Sequence, residues 1–525
     1  MRGMITAPQP LAVDAGAKVL ADGGNAVDSA VAAAFVQMVA TPRSCGVGGF
    51  GMMNIHTAAT KQEIILDFHG KAGAKVEPDM WEDVVIRESN TGYGYALKDE
   101  VNARGYKAIT TPGTVAGLYK ALTEHGTMTW HEVIQPGIKV ATEGIEVTSS
   151  TATAWKREPI GSETSPWIDM GKSPYEGGGE FIANPDMAKA FAIIAEGGVE
   201  TFYHGDLAMQ MAQDMERGGG FVTLEDLNNY KVTVTQPVCS DYRGYTVASN
   251  HPPGGGVTIL QVLKILEGYD LAGMGYLTPE YVYTVALAMK AAWVDRANLV
   301  GDSAFVDVPI EDLLSESRAM EWRRRIDARE KISIPRWQPK DSPDTTHLSV
   351  VDQWGNVVGL THSLGSGADV ITQGLGFMYN NCMNCFNPIP GQVNSIEPGK
   401  SRVTCMAPTL VKSGEKAYFT VGAPGGTRIA TGIIHAILNV IDHGMTATEA
   451  IAAPRFDSQS DVIYAHARIP PSVCERVKEM GHDINRSLSS YGGIASVHGI
   501  IIDPETGKLD GGADPGAGGM ALGVI

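Results

Sequence analysis

Cysteine is scarce: Cys45, Cys239, Cys382, Cys385, Cys405 and Cys474 are the six in 525 residues. They are too few and too scattered for a disulfide framework. No apolar run of about 18 residues occurs, so no membrane-spanning helix is predicted. Basic charge is also short. The 41 Lys and Arg face 59 Asp and Glu, for a net charge of −18. The densest basic cluster, Arg323, Arg324, Arg325 and Arg329, reads as one face of a helix, so nucleic-acid binding is excluded. The 62 glycines follow no Gly-X-Y period, which excludes collagen. Met1–Asp14 lacks the charged-then-apolar pattern of a signal peptide, so a cytoplasmic protein is expected unless a leader has been removed.

What is present is a globular chain. Hydrophobic residues make up 43% and charged residues 19%, enough apolar surface for a sizeable core and too much for wholesale disorder. Leu11–Leu20 has helical spacing and ends at Gly23-Gly24. Asn25–Ala40 is rich in Ala and Val with Asp28 as its one charge, which predicts a buried helix ended by Pro42. Met52–His56 and Glu63–Phe68 read as strands. Gly46, Gly48 and Gly51 fit G-x-G-x-x-G, but a helix precedes them and a strand follows. A dinucleotide site needs the reverse, so they are expected to form a turn lining the core.

Thr111–Gly117 reads as a turn entering a helix, and Trp130–Tyr230 as mostly helical. Val234–Tyr245 and Val247–Ser249 are expected as strands, and Thr278-Pro279 as the cap and first residue of a helix reaching Asn298. Ile334–Asp344, with Pro335, Pro339 and Pro343, is an expected extended linker. Beyond it the pattern turns to strands at Thr345–Asp352, Val357–Ser363 and Ala417–Val421. A helix over Thr427–His443 ends at Gly444, and Thr446-x-x-Glu449 is a capping box for the next, which Pro454 ends. A helix-rich two thirds and a strand-rich third meet at Asp344.

The Thr345–Asp352 and Val357–Ser363 strands flank Gln353-Trp354-Gly355, a three-residue hairpin loop with glycine at its left-handed position. That loop opposes Asp352 to Asn356 and therefore Thr345 to Ser363, two hydroxyls about 5 Å apart at Cβ. Pro424-Gly425-Gly426-Thr427 lies between a strand and a long helix, where free backbone N–H groups suit an oxyanion. A threonine hydroxyl needs a base. If the bond before Thr345 is cut, its own α-amino group, with a pKa of about 7.7–8.0, becomes that base. The chemistry is amide cleavage through an acyl-enzyme, with no metal or cofactor.

These motifs resemble the γ-glutamyltranspeptidase family of N-terminal-nucleophile hydrolases nearly end to end. They include Gly23-Gly24-Asn25-Ala26-Val27-Asp28, Thr111–Gly117, Asp241–Tyr245, Thr345–Asp352, Met406–Thr409 and Pro424–Arg428. The resemblance implies an α+β fold, a four-layer αββα sandwich, made from a precursor that cuts itself. The cut would fall between Asp344 and Thr345, giving chains 1–344 and 345–525 that stay associated as one unit. Thr345 matches the family nucleophile, Ser363 its second hydroxyl, and Gly425 and Gly426 its oxyanion hole.

The substrate positions depart from the family. The arginine that grips the glutamyl α-carboxylate is replaced by His69. The Gln and Asp that hold the α-amino group become Cys382 and Cys385, Ser-Ser becomes Thr404-Cys405, and an Asn becomes Gly365. A neutral thiol cannot partner a desolvated ammonium, and His69 binds a carboxylate only when protonated. The segment between Phe386 and Thr404 has no aromatic residue, which argues against a gating lid. Three thiols near His69 also admit a structural zinc, although a second ligand pair is missing and apolar lining is the plainer role.

The reading favoured is a self-processing amidohydrolase for a small, non-glutamyl amide. The alternatives are a γ-glutamyltransferase or glutathione hydrolase with unusual contacts, and an uncleaved relative kept for binding. No nucleic-acid, membrane or cofactor partner is expected, and a homo-oligomer is left open.

Overall fold

The structure, a computed structural model, describes residues 2–88, 94–146, 181–334, 345–491 and 493–525. The expected linker after Ile334, the bond between Asp344 and Thr345, and part of the helical stretch 130–230 fall outside them.

The strands of the two main sheets are, in chain order, β1 (Gly3–Ala7), β2 (Phe50–Thr57), β3 (Gln62–Phe68), β4 (Thr233–Thr235), β5 (Val238–Tyr242), β6 (Tyr245–Ser249), β7 (Thr345–Asp352), β8 (Val357–Ser363), β9 (Thr409–Ser413), β10 (Lys416–Gly422), β11 (His498–Ile502), β12 (Leu509–Ala513) and β13 (Met520–Val524). A seven-stranded sheet runs β13-β1-β7-β8-β2-β3-β4, and a six-stranded sheet runs β12-β11-β10-β9-β6-β5. Every neighbouring pair in both is antiparallel.

The helices that position the site are α1 (Pro10–Ala21), α2 (Ala26–Ala40), α3 (Thr114–His125), α4 (Trp130–Glu143), α5 (Pro185–Tyr203), α6 (Gly256–Leu266), α7 (Pro279–Leu299), α8 (Ile429–Ile441) and α9 (Ala447–Ala452). The first five form the layer on the seven-stranded sheet and the last four the layer on the six-stranded sheet, with the two sheets packed together. This is the expected αββα sandwich.

Local chemistry explains the elements. Helix α2 is buried along its whole length and opens on a capping box between Asn25 and Asp28. The buried Asp28 carboxylate also accepts from Thr127 N, Thr127 Oγ1 and Met128 N, so its charge is fully solvated by protein donors. Thr278 caps α7 with Pro279 in its first turn, and Thr446 and Glu449 form the capping box of α9. Gly48 and Gly51 line the core as expected, since a Cβ at either would strike neighbouring backbone. Of the basic cluster, Arg323, Arg324 and Arg325 lie on a helix over Glu316–Asp327, while Arg329 lies past its end with φ 54° and is not on the helix face; Arg318 and Arg325 flank the Trp322 ring and pair with Asp295 and Glu330.

Three expectations change. The strand over 234–245 is two strands, β4 and β5, broken at Gln236-Pro237, where proline has no N–H to donate. The helix after Gly426 starts as a 3-10 turn over Gly426–Arg428 and becomes α-helical at Ile429. The change of pattern at Asp344 is not an architectural border. Both sheets draw strands from each side of it, and β1 lies between β7 and β13.

No helix among the described residues is long and apolar enough to cross a membrane.

Candidate active site

The hairpin register is the one that the turn predicts: Thr345 pairs with Ser363 and Val351 with Val357. Asp352 locks the loop by accepting from Trp354 N, Asn356 N and Asn356 Nδ2, and its Oδ2 takes the Ala26 N–H at the start of α2. Alternation then divides the hairpin. Leu348, Val350, Val358 and Leu360 join the core under the helices. Thr345, His347, Ser349, Thr361 and Ser363 therefore face the other sheet.

Thr345 Oγ1 lies 3.0 Å from Ser363 Oγ, and Gly365 N–H donates to the same Ser363 oxygen at 2.8 Å. Gly365, expected at the substrate, is thus wired to Ser363. Its φ of 76° is left-handed, and a Cβ there would collide with Asn381 Oδ1. His347, two residues along from Thr345, bonds Thr361 Oγ1 at 2.8 Å and Ser349 Oγ at 3.0 Å. Burial, then the neighbouring His498 and His362, holds its pKa well below the ordinary value, so the ring is neutral.

The His347 ring fills the space that a side chain at Gly422 would need. Gly422 ends β10, so Pro424-Gly425-Gly426 leaves the six-stranded sheet at the end where β7 begins. Gly425 has φ 143° and Gly426 φ 59°. Gly425 O accepts from Arg428 N, but neither glycine N–H donates to a protein acceptor among the described residues.

On the helix side, Gln37 in α2 was not singled out from the sequence. Its Nε2 donates to Thr346 Oγ1 at 2.8 Å and its Oε1 lies 2.9 Å from His362 Nε2. Thr346 and His362 are cross-strand partners, so one buried amide clamps both strands directly behind the hydroxyl pair.

The row across the sheet continues from Ser363 to Phe50 on β2, and the His69 ring follows with its centroid 4.6 Å from that of Phe50. His69 Nδ1 accepts from Gly70 N at 3.1 Å, which puts the ring proton on Nε2. That buried Nε2 faces the Arg402 backbone without the geometry of a hydrogen bond. Burial first, and the Arg402 charge second, hold the His69 pKa well below the ordinary value. The condition set from the sequence, that His69 binds a carboxylate only when protonated, is disfavoured by this burial, which keeps the ring neutral. The Asp67 carboxyl is turned to the His69 N–H and is pushed up to about 7, mainly by burial.

The Cys382 and Cys385 thiols are protonated. Burial raises Cys382 and lifts Cys385 to about 12, with the Arg402 charge opposing in each case. Cys382 and Cys405 belong to the apolar cluster around the six-stranded sheet, so they act as lining. Among the described residues no group of His, Cys, Asp and Glu is arranged to hold a metal ion. Thr404 shapes its own loop, with Oγ1 accepting from Met406 N and its carbonyl from Arg296. Arg402 is the second residue that the sequence reading missed. Its guanidinium stands over Phe50, Cζ to centroid 4.9 Å, and is hydrogen-bonded to Cys382.

Comparison with known proteins gives consistent matches along the chain. The Gamma-glutamyltranspeptidase family profile matches residues 12–524. An acylase ACY 1 proenzyme of Pseudomonas sp. (strain V22) is 36% identical over 529 residues, covering 98% of this chain and 92% of its own. A glutathione hydrolase proenzyme of Bacillus subtilis (strain 168) is 32% identical over 547 residues, covering 99% and 91%. The solved structure of a cephalosporin acylase from Bacillus halodurans superposes with a TM-score of 0.90 at 28% identity, over 99% of this chain and 95% of that one.

Proposed function

The chain belongs to the gamma-glutamyltranspeptidase family of amide hydrolases, and from that premise we propose that it cuts itself before Thr345 and then hydrolyses a small non-glutamyl amide. Maturation begins when Thr345 Oγ1 attacks the Asp344 carbonyl. The peptide nitrogen takes the proton, and water hydrolyses the resulting ester. This frees the Asp344 carboxylate, the Thr345 hydroxyl and the Thr345 α-amino group. The two chains remain joined because strands of 1–344 and 345–525 pair with each other in the seven-stranded sheet, at β1–β13, β1–β7 and β8–β2. The proenzyme relatives agree with such processing.

In turnover the α-amino group takes the Oγ1 proton as Oγ1 attacks the substrate carbonyl. Gly425 and Gly426 N–H groups hold the tetrahedral oxyanion. The amine leaves with the proton, and water cleaves the acyl-threonine ester. Ser363, fixed by the Gly365 N–H, holds Oγ1 in place. His347 is neutral and engaged by two hydroxyls, so it positions the strand and is not the base.

The observation that carries this reading is the 3.0 Å hydroxyl pair at the first residue of a central strand. The non-glutamyl preference rests on neutral Cys382 and Cys385 where the family's ammonium partners stand. The glutathione hydrolase relatives favour a second reading, γ-glutamyl hydrolysis. A denaturing gel tests maturation: two fragments support it, and a whole but fully active chain contradicts it. A panel of p-nitroanilides tests the substrate. Turnover of γ-glutamyl-p-nitroanilide as fast as that of the best other acyl anilide would establish the second reading.

A further inference from the structure

Two consecutive glycines do not set the direction of their own N–H groups, because glycine reaches positive and negative φ about equally. Gly425 at φ 143° and Gly426 at φ 59° are therefore held from outside. A second segment holds them from one side. Ser496 N donates to Pro424 O at 3.0 Å, and a Cβ on Gly425 would come within 2.6 Å of Ala495 Cα. Ala495 is itself buried and left-handed, with φ 52°. Arg455 fixes this segment by donating to Ile494 O and Ala495 O, both at 3.0 Å.

Arg428 ties that segment to the turn. It is the last residue of the 3-10 turn, and its backbone N–H donates to Gly425 O at 3.0 Å. Its buried side chain meets three partners. Nη1 donates to Gly493 O, Nε lies 3.4 Å from Asp457 Oδ2, and Cζ lies 5.3 Å from the centre of the Tyr464 ring. Asp457 and Tyr464 are cross-strand partners in a small sheet over Phe456–Asp457, Ile463–Ala465 and Ile484–Arg486. Carboxylate and ring therefore present one face to the guanidinium. The buried Asp457 carboxylate also accepts from Thr431 Oγ1 at 2.6 Å and from Gln459 Nε2 at 2.9 Å, which fixes its place. We propose that Arg428 is a positioning residue. Through Asp457 and Gly493 it locks the Pro424–Gly426 turn so that the two glycine N–H groups converge on one point, without touching substrate itself. This inference rests on the reading of Gly425 and Gly426 as the oxyanion donors.

The test measures kcat per self-cleaved chain, and KM, for two acyl p-nitroanilides, with urea unfolding alongside. The variants are Arg428→Met, Arg428→Lys and the double variant Arg428→Met/Asp457→Asn, which strands no buried charge. Misplacing a reacting geometry by about 1 Å can cost on the order of 10² in rate. In Arg428→Met and the double variant, kcat should therefore fall by about 10–10², by the same factor for both acyl groups. KM should stay within about twofold, as for an interaction made only in the transition state. Arg428→Lys should recover part of kcat. A merely structural role would lower the urea midpoint and leave kcat per cleaved chain unchanged.

Wild-type kcat in folded, cleaved Arg428→Met or double variant would overturn the proposal while leaving the amidohydrolase reading intact. So would a loss carried by KM or confined to one acyl group, which would put Arg428 at the substrate. If those two variants do not fold and cut themselves, Arg428→Lys decides: a lower kcat at constant KM supports the proposal, and wild-type kcat overturns it. A wild type that hydrolyses no anilide undoes the wider reading and this inference with it.

Discussion

The two ends of one row of residues behave differently. At the Thr345 end, position comes from the backbone: a hairpin register, an N–H to Ser363, and two glycine N–H groups beyond β10. At the His69 end, character comes from side chains: a neutral imidazole, two thiols and a guanidinium. On the proposed mechanism, backbone geometry carries the reaction and tolerates little change. The side-chain end can be exchanged without moving a strand, so specificity can drift while the chemistry stays.

The harshest way to break the comparison is at the reaction end. Thr345→Ala should leave the precursor whole and lower amide hydrolysis to background, whatever the acyl group. Thr345→Ser should keep both reactions, because the hydroxyl and the α-amino group remain. Rates with matched acyl anilides check this.

Acid should strain both ends at once. His69 and His347 are held well below their ordinary pKa, His362 is lowered to about 3, and His498 to about 4. A lowered folded pKa gives stability that is present above the unfolded value near 6.5. It is lost as pH falls, because the unfolded chain takes protons that the folded chain refuses. Each such histidine should cost about 1.4 kcal/mol per pH unit between roughly pH 6 and its folded value. Urea unfolding at pH 7.5 and pH 5 should show a marked drop, and equal stability at the two values would mean that these rings are not buried neutral.

A narrower cut is Gly426→Val. The side chain should block approach to the N–H donors and lower kcat by about 10²–10³ for every acyl group alike. An effect confined to one kind of acyl group would place the oxyanion donors elsewhere.

The smallest expected effect lies behind the row. Gln37→Leu removes the amide that holds Thr346 and His362, leaving buried polar atoms unsatisfied. It should cost about 1–3 kcal/mol in urea unfolding, with a modest loss of turnover. No change in either would show that the clamp does not hold the nucleophile strand.

The reaction end was legible in the sequence because its signals are local. Gly355 set the hairpin register, and with it the Thr345–Ser363 pair. Asn25 and Asp28 marked the start of α2. The specificity end was legible only as loss: His69, Cys382 and Cys385 stood where an arginine, a glutamine and an aspartate were expected. What replaced them was hidden, since Arg402 meets Phe50 only once β2 and the loop before β9 are brought together. The protonation of His69 was hidden for the same reason, because it depends on burial and on Arg402. Gln37 looked like an ordinary residue in a buried helix until the hairpin packed on it.

The central claim is that Thr345 becomes a free N-terminus and carries the acyl group. Intact-mass analysis of the purified wild type, before and after rapid acid quench with a slowly hydrolysed acyl anilide, tests it directly. The account predicts two chains, 1–344 and 345–525, and a single acyl adduct on the threonine that begins the smaller one. An uncut active chain, or an adduct on any other residue, would contradict it.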